Sequence, residues 1–250
     1  MKFACVHLIC LAALGLHFAP AAFAQLNVMT SGGFAAPYEK LLPVFEKRSG
    51  IKVTTTRGAS QGDGPTTIPA QLRRGVAADV VIMSKEGLKP LVAEGRIVAG
   101  SVVDLAQARL GVAVREGAPK PDIRTVEGFK RMLLRAKSIN AVSTTGIYMT
   151  QTLFPKLGIA AEVAGKLNGS TVAAVASGEV EVAIRPVSEI LNVPGVAFVG
   201  PVPDEIQFVS VFSAAIVAGS KQVEASRQLI KFLASEEARP AIRSSGMELP

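Results

Sequence analysis

The stretch "LNVMTSGGFAAPYEKLLPVFEKRSG", residues 26–50, decides how the rest of the chain is read. Leu26-Asn27-Val28-Met29 is a strand-like run that ends in Ser31-Gly32-Gly33 and passes directly into an amphipathic helical pattern. Two readings of the turn are open. Two glycines make a tight bend and Ser31 caps the helix; or the exposed amides and the hydroxyl form a small anion site. Either way, a strand that feeds a helix is the building unit of an α/β fold.

Working outward, the same unit recurs. Ile51 to Thr56 is a β-branched strand, "RGASQGDGP" (57–65) a polar turn, and Ile68 to Arg74 a short helix. "AADVVIMS" (77–84) reads as a buried strand before a helix over Lys85 to Glu94. A second set of units begins near residue 110. Strand Leu110–Arg115 is followed by a Pro/Gly-rich link, a helix over 125–136, strand Ser138–Val142 and the turn "STTG" (143–146), which opens a helix over 147–157. Further on come helix 170–177, strand Val180–Ile184, the turn "RPVSE" (185–189), strand Val196–Val199 and the run Gln207–Ala218. That last run is long enough to cross between domains. Helices over 221–234 and 236–245 close the chain, and Pro43 predicts a kinked or shortened first helix. No internal repeat or low-complexity tract is present.

The first 24 residues predict a secretory signal peptide. Lys2 precedes a mostly apolar run from Phe3 to Phe18, and Ala22-Phe23-Ala24 has the small-x-small form of a cleavage site. The run is short for a membrane span, so export to the periplasm with a cut after Ala24 is expected. Removing 24 of the 250 residues leaves 226, with a net charge of +6 once Lys2 is subtracted from the +7 of the whole chain. Both cysteines (Cys5, Cys10) and both histidines (His7, His17) lie in the removed segment. Disulfides, thiol nucleophiles, Ser-His-Asp triads and His- or Cys-ligated zinc are thereby excluded, and neither metal nor cofactor is expected. The basic residues are scattered, as at Lys47-Arg48 and Arg73-Arg74, without aromatic interleaving. Nucleic acid is therefore not the expected partner, whereas a modest positive field suits a small anionic ligand.

Three strand-to-helix turns share one character: "TSGG", "GASQGDG" and "STTG". Ligands of open α/β sheets sit at the carboxyl ends of strands, where such turns collect, so three of them favour a binding site over simple capping. The segments "ADVVIMS…LVAEGRI", "VREGAPKPDI", "STTGIYMTQTLFPKLGI", "VASGEVEVAI…SEILNVPGV" and "LIKFLASEEARPAIRSSGMELP" resemble the molybdate-binding-protein-like branch of the type II periplasmic solute-binding proteins. The resemblance implies two α/β lobes, 25–109 plus 213–250 and 110–212, that close over a ligand and serve a membrane ABC permease as a monomer. Within that branch, "SGG", the "GD-P--IP" pattern (Gly62, Asp63, Pro65, Ile68, Pro69), "EGAPKPDI" and "G-Y---LFP" are similar to a subgroup that includes bacterial aconitate isomerase.

Candidate site residues follow from both arguments. Ser31, Gly32 and Gly33 offer a hydroxyl and amides. By the resemblance, Ser31 and Ser60 match the paired hydroxyls of molybdate binders, while the insertion "GDGPTTIP" (62–69) and Arg185 imply a larger or more highly charged anion. Arg57 and Arg185 are candidate carboxylate partners, Arg57 being equally readable as a surface residue. Ser143, Thr144, Thr145 and Gly146 are the second-lobe counterpart of the first turn. Tyr148 either points into the cleft or packs between lobes, and Asp63 is either an Asx-turn residue or a base. If the protein moves a double bond in a tricarboxylate, Asp63, Tyr148 and Glu189 are the candidate proton carriers.

Overall fold

The computed structural model describes residues 25–191 and 193–250. The expected signal peptide, with both cysteines and both histidines, lies outside the described residues. Nine strands occur among them: β1 (Gln25–Thr30), β2 (Lys52–Arg57), β3 (Val80–Ser84), β4 (Val103–Arg115), β5 (Ile139–Asn140), β6 (Leu167–Asn168), β7 (Val182–Pro186), β8 (Val196–Pro201) and β9 (Val209–Ile216). They are ordered β2-β1-β3-β9-β4-β7-β5-β6, with β8 also paired to β4. No helix of the described residues is long and apolar enough to cross a membrane.

Side-chain alternation explains the layers. In β3, Val80 and Ile82 face one core with Leu26, Val28, Phe34 and Leu229, while Val81 and Met83 face another with Met29, Ile68 and Leu91. Helices cover both faces, so every residue of "VVIMS" is buried. Strand β2, "KVTTTR", lies at the edge and keeps charged and hydroxyl side chains toward water. A separate core forms around Leu110, Val112, Phe129, Leu133, Ile139, Phe154 and Ile184. Ala113, on the opposite face of β4, joins Val175, Val180, Ala183 and Ile190.

The two lobes meet in β4. Its first part, Val103–Arg109, pairs antiparallel with β9, and Leu110–Val114 pairs antiparallel with β7. The strand predicted to begin at Leu110 is thus the second half of a 13-residue strand. Both β4 and the run Gln207–Ala218 cross between the lobes: Phe208 packs against the second-lobe core, and Phe212 and Ala214 lie in the first. Of that run, β9 keeps only eight residues, between β3 and β4 in the first lobe. Beside the crossing, the Gln207 side chain uses its full hydrogen-bonding capacity. Its carbonyl accepts from the Leu110 amide (2.8 Å) and the Phe208 amide (3.0 Å), and its NH2 donates to the Leu110 carbonyl (3.1 Å) and the Val202 carbonyl (2.9 Å).

Several element boundaries differ from expectation. Helix Ala35–Ser49 runs through Pro43, which is exposed, so the carbonyl left without an amide partner can turn to water. "STTG" is not a turn ahead of a helix but the first turn of helix Ser143–Tyr148, which widens into a π-type turn at Met149–Leu153 and ends as Phe154–Leu157. Arg185 and Pro186 belong to β7, and Val187–Ile190 form a short helical turn. The helix expected over 170–177 covers Ala173–Ser177. The last helix is confined to Arg239–Arg243, preceded by a 3-10 turn at Glu236–Ala238.

Candidate functional site: the cleft between the lobes

Five strands end at one place. From the first lobe come the turns after β1 (Ser31–Gly33), β2 (Ala59, Ser60) and β3 (Ser84); from the second come those after β5 (Val142–Thr145) and β7 (Pro186, Glu189). Together with Arg185, Ser210 and Phe212 they enclose a cavity of about 60 Å³. Carboxyl ends of strands from two sheets therefore converge on one small polar space. A surface hollow of about 850 Å³, which includes Arg115, Arg131 and Glu179, lies by the amino ends of β5 and β7, away from these turns.

Hydrogen bonds join the lobes across the cleft. The Ser84 and Thr144 hydroxyls are 2.7 Å apart, both buried. The Gln61 amide donates to the Ser143 hydroxyl at 3.1 Å, and the Ser188 hydroxyl donates to the Gly33 carbonyl at 2.7 Å. Ser143 has φ of 55°, a left-handed conformation that costs a residue with a Cβ roughly 1–3 kcal/mol. Gly33 is required by close approach: a Cβ there would lie 1.9 Å from the Phe212 ring.

The opening turn does not cap its helix. Ser31 makes no side-chain capping bond; its hydroxyl is buried, lines the cavity and has no partner. The Ser60 hydroxyl accepts from the Ser84 amide at 2.9 Å and keeps its own hydrogen for another acceptor. Arg185 donates from Nη1 to the Val142 carbonyl at 3.3 Å and pairs through Nη2 with Glu189, while its buried Nε has no partner. Both members of this ion pair are largely shielded from water, at 12 % and 15 % side-chain exposure. The cleft thus offers hydroxyl and guanidinium donors and a single carboxylate, a set suited to recognising anions by charge-assisted hydrogen bonds.

Of the sequence candidates, Ser31, Gly32, Gly33, Ser60, Ser143, Thr144, Thr145, Arg185 and Glu189 come together here. Four do not. Arg57 sits at the edge of the sheet, exposed and paired with Glu39. Asp63 is exposed in its loop and does not line the cavity. Gly146 is a packing residue, since a Cβ would meet the Ala141 carbonyl at 2.6 Å. The Tyr148 ring stacks on Phe208 (4.9 Å between centroids) and its hydroxyl donates to the Ile206 carbonyl at 2.9 Å; burial raises its pKa. Tyr148 is therefore held in the second core, away from the cavity. Ser84 escaped the sequence reading although "VVIMS" before a helix has the same strand-serine-helix form as the other turns. Ser188, Ser210 and Phe212 carry no comparable local signal.

Residues 26–248 match the family described as bacterial extracellular solute-binding protein. Over 228 residues the chain is 38% identical to aconitate isomerase from a Pseudomonas species, covering 89% of this chain and 87% of that protein. Among solved structures, the Azotobacter vinelandii periplasmic molybdate-binding protein superposes with a TM-score of 0.73 at 21% identity, over 90% of this chain and 99% of that one. The sulfate-binding protein from Mycobacterium tuberculosis gives 0.70 at 17%, over 90% and 86%. The fold is that of the type II periplasmic binding proteins, and by its sequence the chain belongs to the bacterial extracellular solute-binding protein family.

Proposed function

We propose that the protein is a periplasmic receptor for a small anion, a polycarboxylate in preference to an oxyanion, bound between the lobe expected over 25–109 plus 213–250, to which the pairing of β9 adds residues 209–212, and the remaining lobe, 110–208. One observation carries the reading: two buried donors, the Ser31 hydroxyl and Arg185 Nε, line the interlobe cavity without a partner. A buried donor left unpaired costs about 1–3 kcal/mol, and an anion in the cleft removes that cost. The Arg185 guanidinium already holds a carboxylate, which favours a carboxylate ligand. A cavity of about 60 Å³ has room for only a few waters, so a polycarboxylate requires the lobes to part and close again. In this reading the chain is exported by residues 1–24, acts as a monomer and passes its ligand to an ABC permease. A thermal-shift screen with citrate, both aconitates, sulfate, molybdate and tungstate tests it, because a ligand of the folded state raises Tm by mass action. The tricarboxylates are expected to give the largest shifts, and no shift with any anion would remove the proposal.

A second reading is favoured by the 38% identity with aconitate isomerase. In it Glu189, the one carboxylate lining the cavity, takes a proton from the carbon next to a substrate carboxylate. The electron pair is delocalised toward that carboxylate beside Arg185, the double bond moves one position, and Glu189 returns the proton at the far carbon. No oxidant or cofactor is consumed. Asp63 and Tyr148 take no part, because neither lines the cleft. Proton NMR of trans-aconitate with the protein in deuterated water distinguishes the readings: conversion to cis-aconitate with deuterium uptake supports the enzyme, and binding without exchange leaves the receptor.

A further inference from the structure

Glu189 is out of keeping with the rest of the cleft. The other polar side chains lining it can donate a hydrogen bond, whereas an ionised carboxylate can only accept. Its carboxyl group nonetheless lies against the first turn, with Cδ and Oε2 each 3.2 Å from the point a Cβ on Gly32 would occupy. Oε2 also accepts from Arg185 Nη2. The turn glycine and the guanidinium therefore face a carboxylate supplied by the chain itself.

That internal carboxylate is an incomplete occupant. A guanidinium presents Nε and Nη2 along one edge, in a spacing that matches the two oxygens of a carboxylate. Glu189 takes Nη2 and leaves Nε buried and unpaired, with the Ser31 hydroxyl unpaired in the same cavity. An incoming carboxylate can bond both nitrogens of the edge and the hydroxyl, which Glu189, tethered as the third residue of the helical turn Val187–Ile190, does not.

We infer that Glu189 is a specificity-determining residue: it occupies the anion seat of the cleft, and a ligand carboxylate must displace it from the Nε–Nη2 edge of Arg185. The inference rests on reading the cleft as an anion site. Once displaced, Glu189 stays in the cleft as a negative charge, so its penalty grows with the charge of the ligand. It also stands beside the bound carboxylate, free of its counter-ion. Removing its charge should tighten binding of a trianion by at least about tenfold and of a monoanion by less.

The test is titration calorimetry of residues 25–250 as wild type, Glu189→Gln and Glu189→Ala, with citrate, trans-aconitate and acetate as probes. Unliganded thermal unfolding checks that each variant is folded. The expected result is tighter binding in both variants, with the gain larger for the trianions than for acetate. If the wild type binds and both variants bind equally or more weakly, the inference fails and the anion site stands. If none of the three proteins binds any probe, the anion site fails with it.

Discussion

In the proposed receptor, Ser31 is a donor reserved for the anion. Its hydroxyl is buried, with the residue 3% exposed, and meets no acceptor. Ser31→Ala is therefore expected to leave unliganded stability unchanged or raise it by up to about 1 kcal/mol, while weakening anion binding about tenfold. Chemical denaturation and ligand titration of the same variant check the two halves. Tyr38 shows the opposite case of a satisfied hydroxyl, 2.8 Å from that of Thr55. Burial raises its pKa above the ordinary 10.0, against the smaller lowering effects of Thr55 and Arg57. The folded state favours the neutral phenol, so its contribution is complete below about pH 10 and is lost as pH rises beyond that value. Urea unfolding between pH 9 and 11 should show a stability loss that is smaller in Tyr38→Phe. What residue-level reading could not supply was direction. Arg57, Asp63 and Tyr148 are chemically apt, but an ion pair with Glu39, a solvent-facing loop and a stacked Phe208 hold them elsewhere.

At the scale of elements, the turns after β1, β2 and β5 were legible because serine, threonine and glycine at a strand end serve few purposes other than capping and ligand contact. The turn after β1 also depends on a partner distant in sequence. Gly33→Ala would put a Cβ into the Phe212 ring, and because that ring also lines the cavity, relief must come from moving a cleft wall. A loss of about 1–3 kcal/mol in stability is expected, together with weaker anion binding, measured by thermal unfolding with and without citrate. Strand β4 was half legible. "LGVAVR" reads as a buried strand, but "VDLAQAR" mixes half-buried and buried positions with polar residues, and its pairing with β9 shifts register between Asp104 and Ala106. Pro43 was misleading because helix breaking is weakest where water reaches the freed carbonyl.

On the scale of the whole molecule, the cores of the two lobes are joined by β4 and by the chain entering β9, with Gln207 bonded to both. The cleft closes through Ser84–Thr144, Gln61–Ser143 and Ser188–Gly33, contacts that unite segments 60 to 155 residues apart and that no local pattern announces. The two-lobed fold was legible from the alternation of strands and helices and from the family resemblance; the way Glu189 closes onto the first turn was not, because it depends on the lobes meeting. In the proposed function, Arg185 anchors an anion between those lobes. Titration calorimetry of citrate into wild-type residues 25–250 and into Arg185→Met tests it most directly. Saturable one-to-one binding in the wild type, weakened by about a hundredfold or more in the variant, is the expected result. Equal affinity in the two proteins, or no binding of citrate by the wild type, would contradict it.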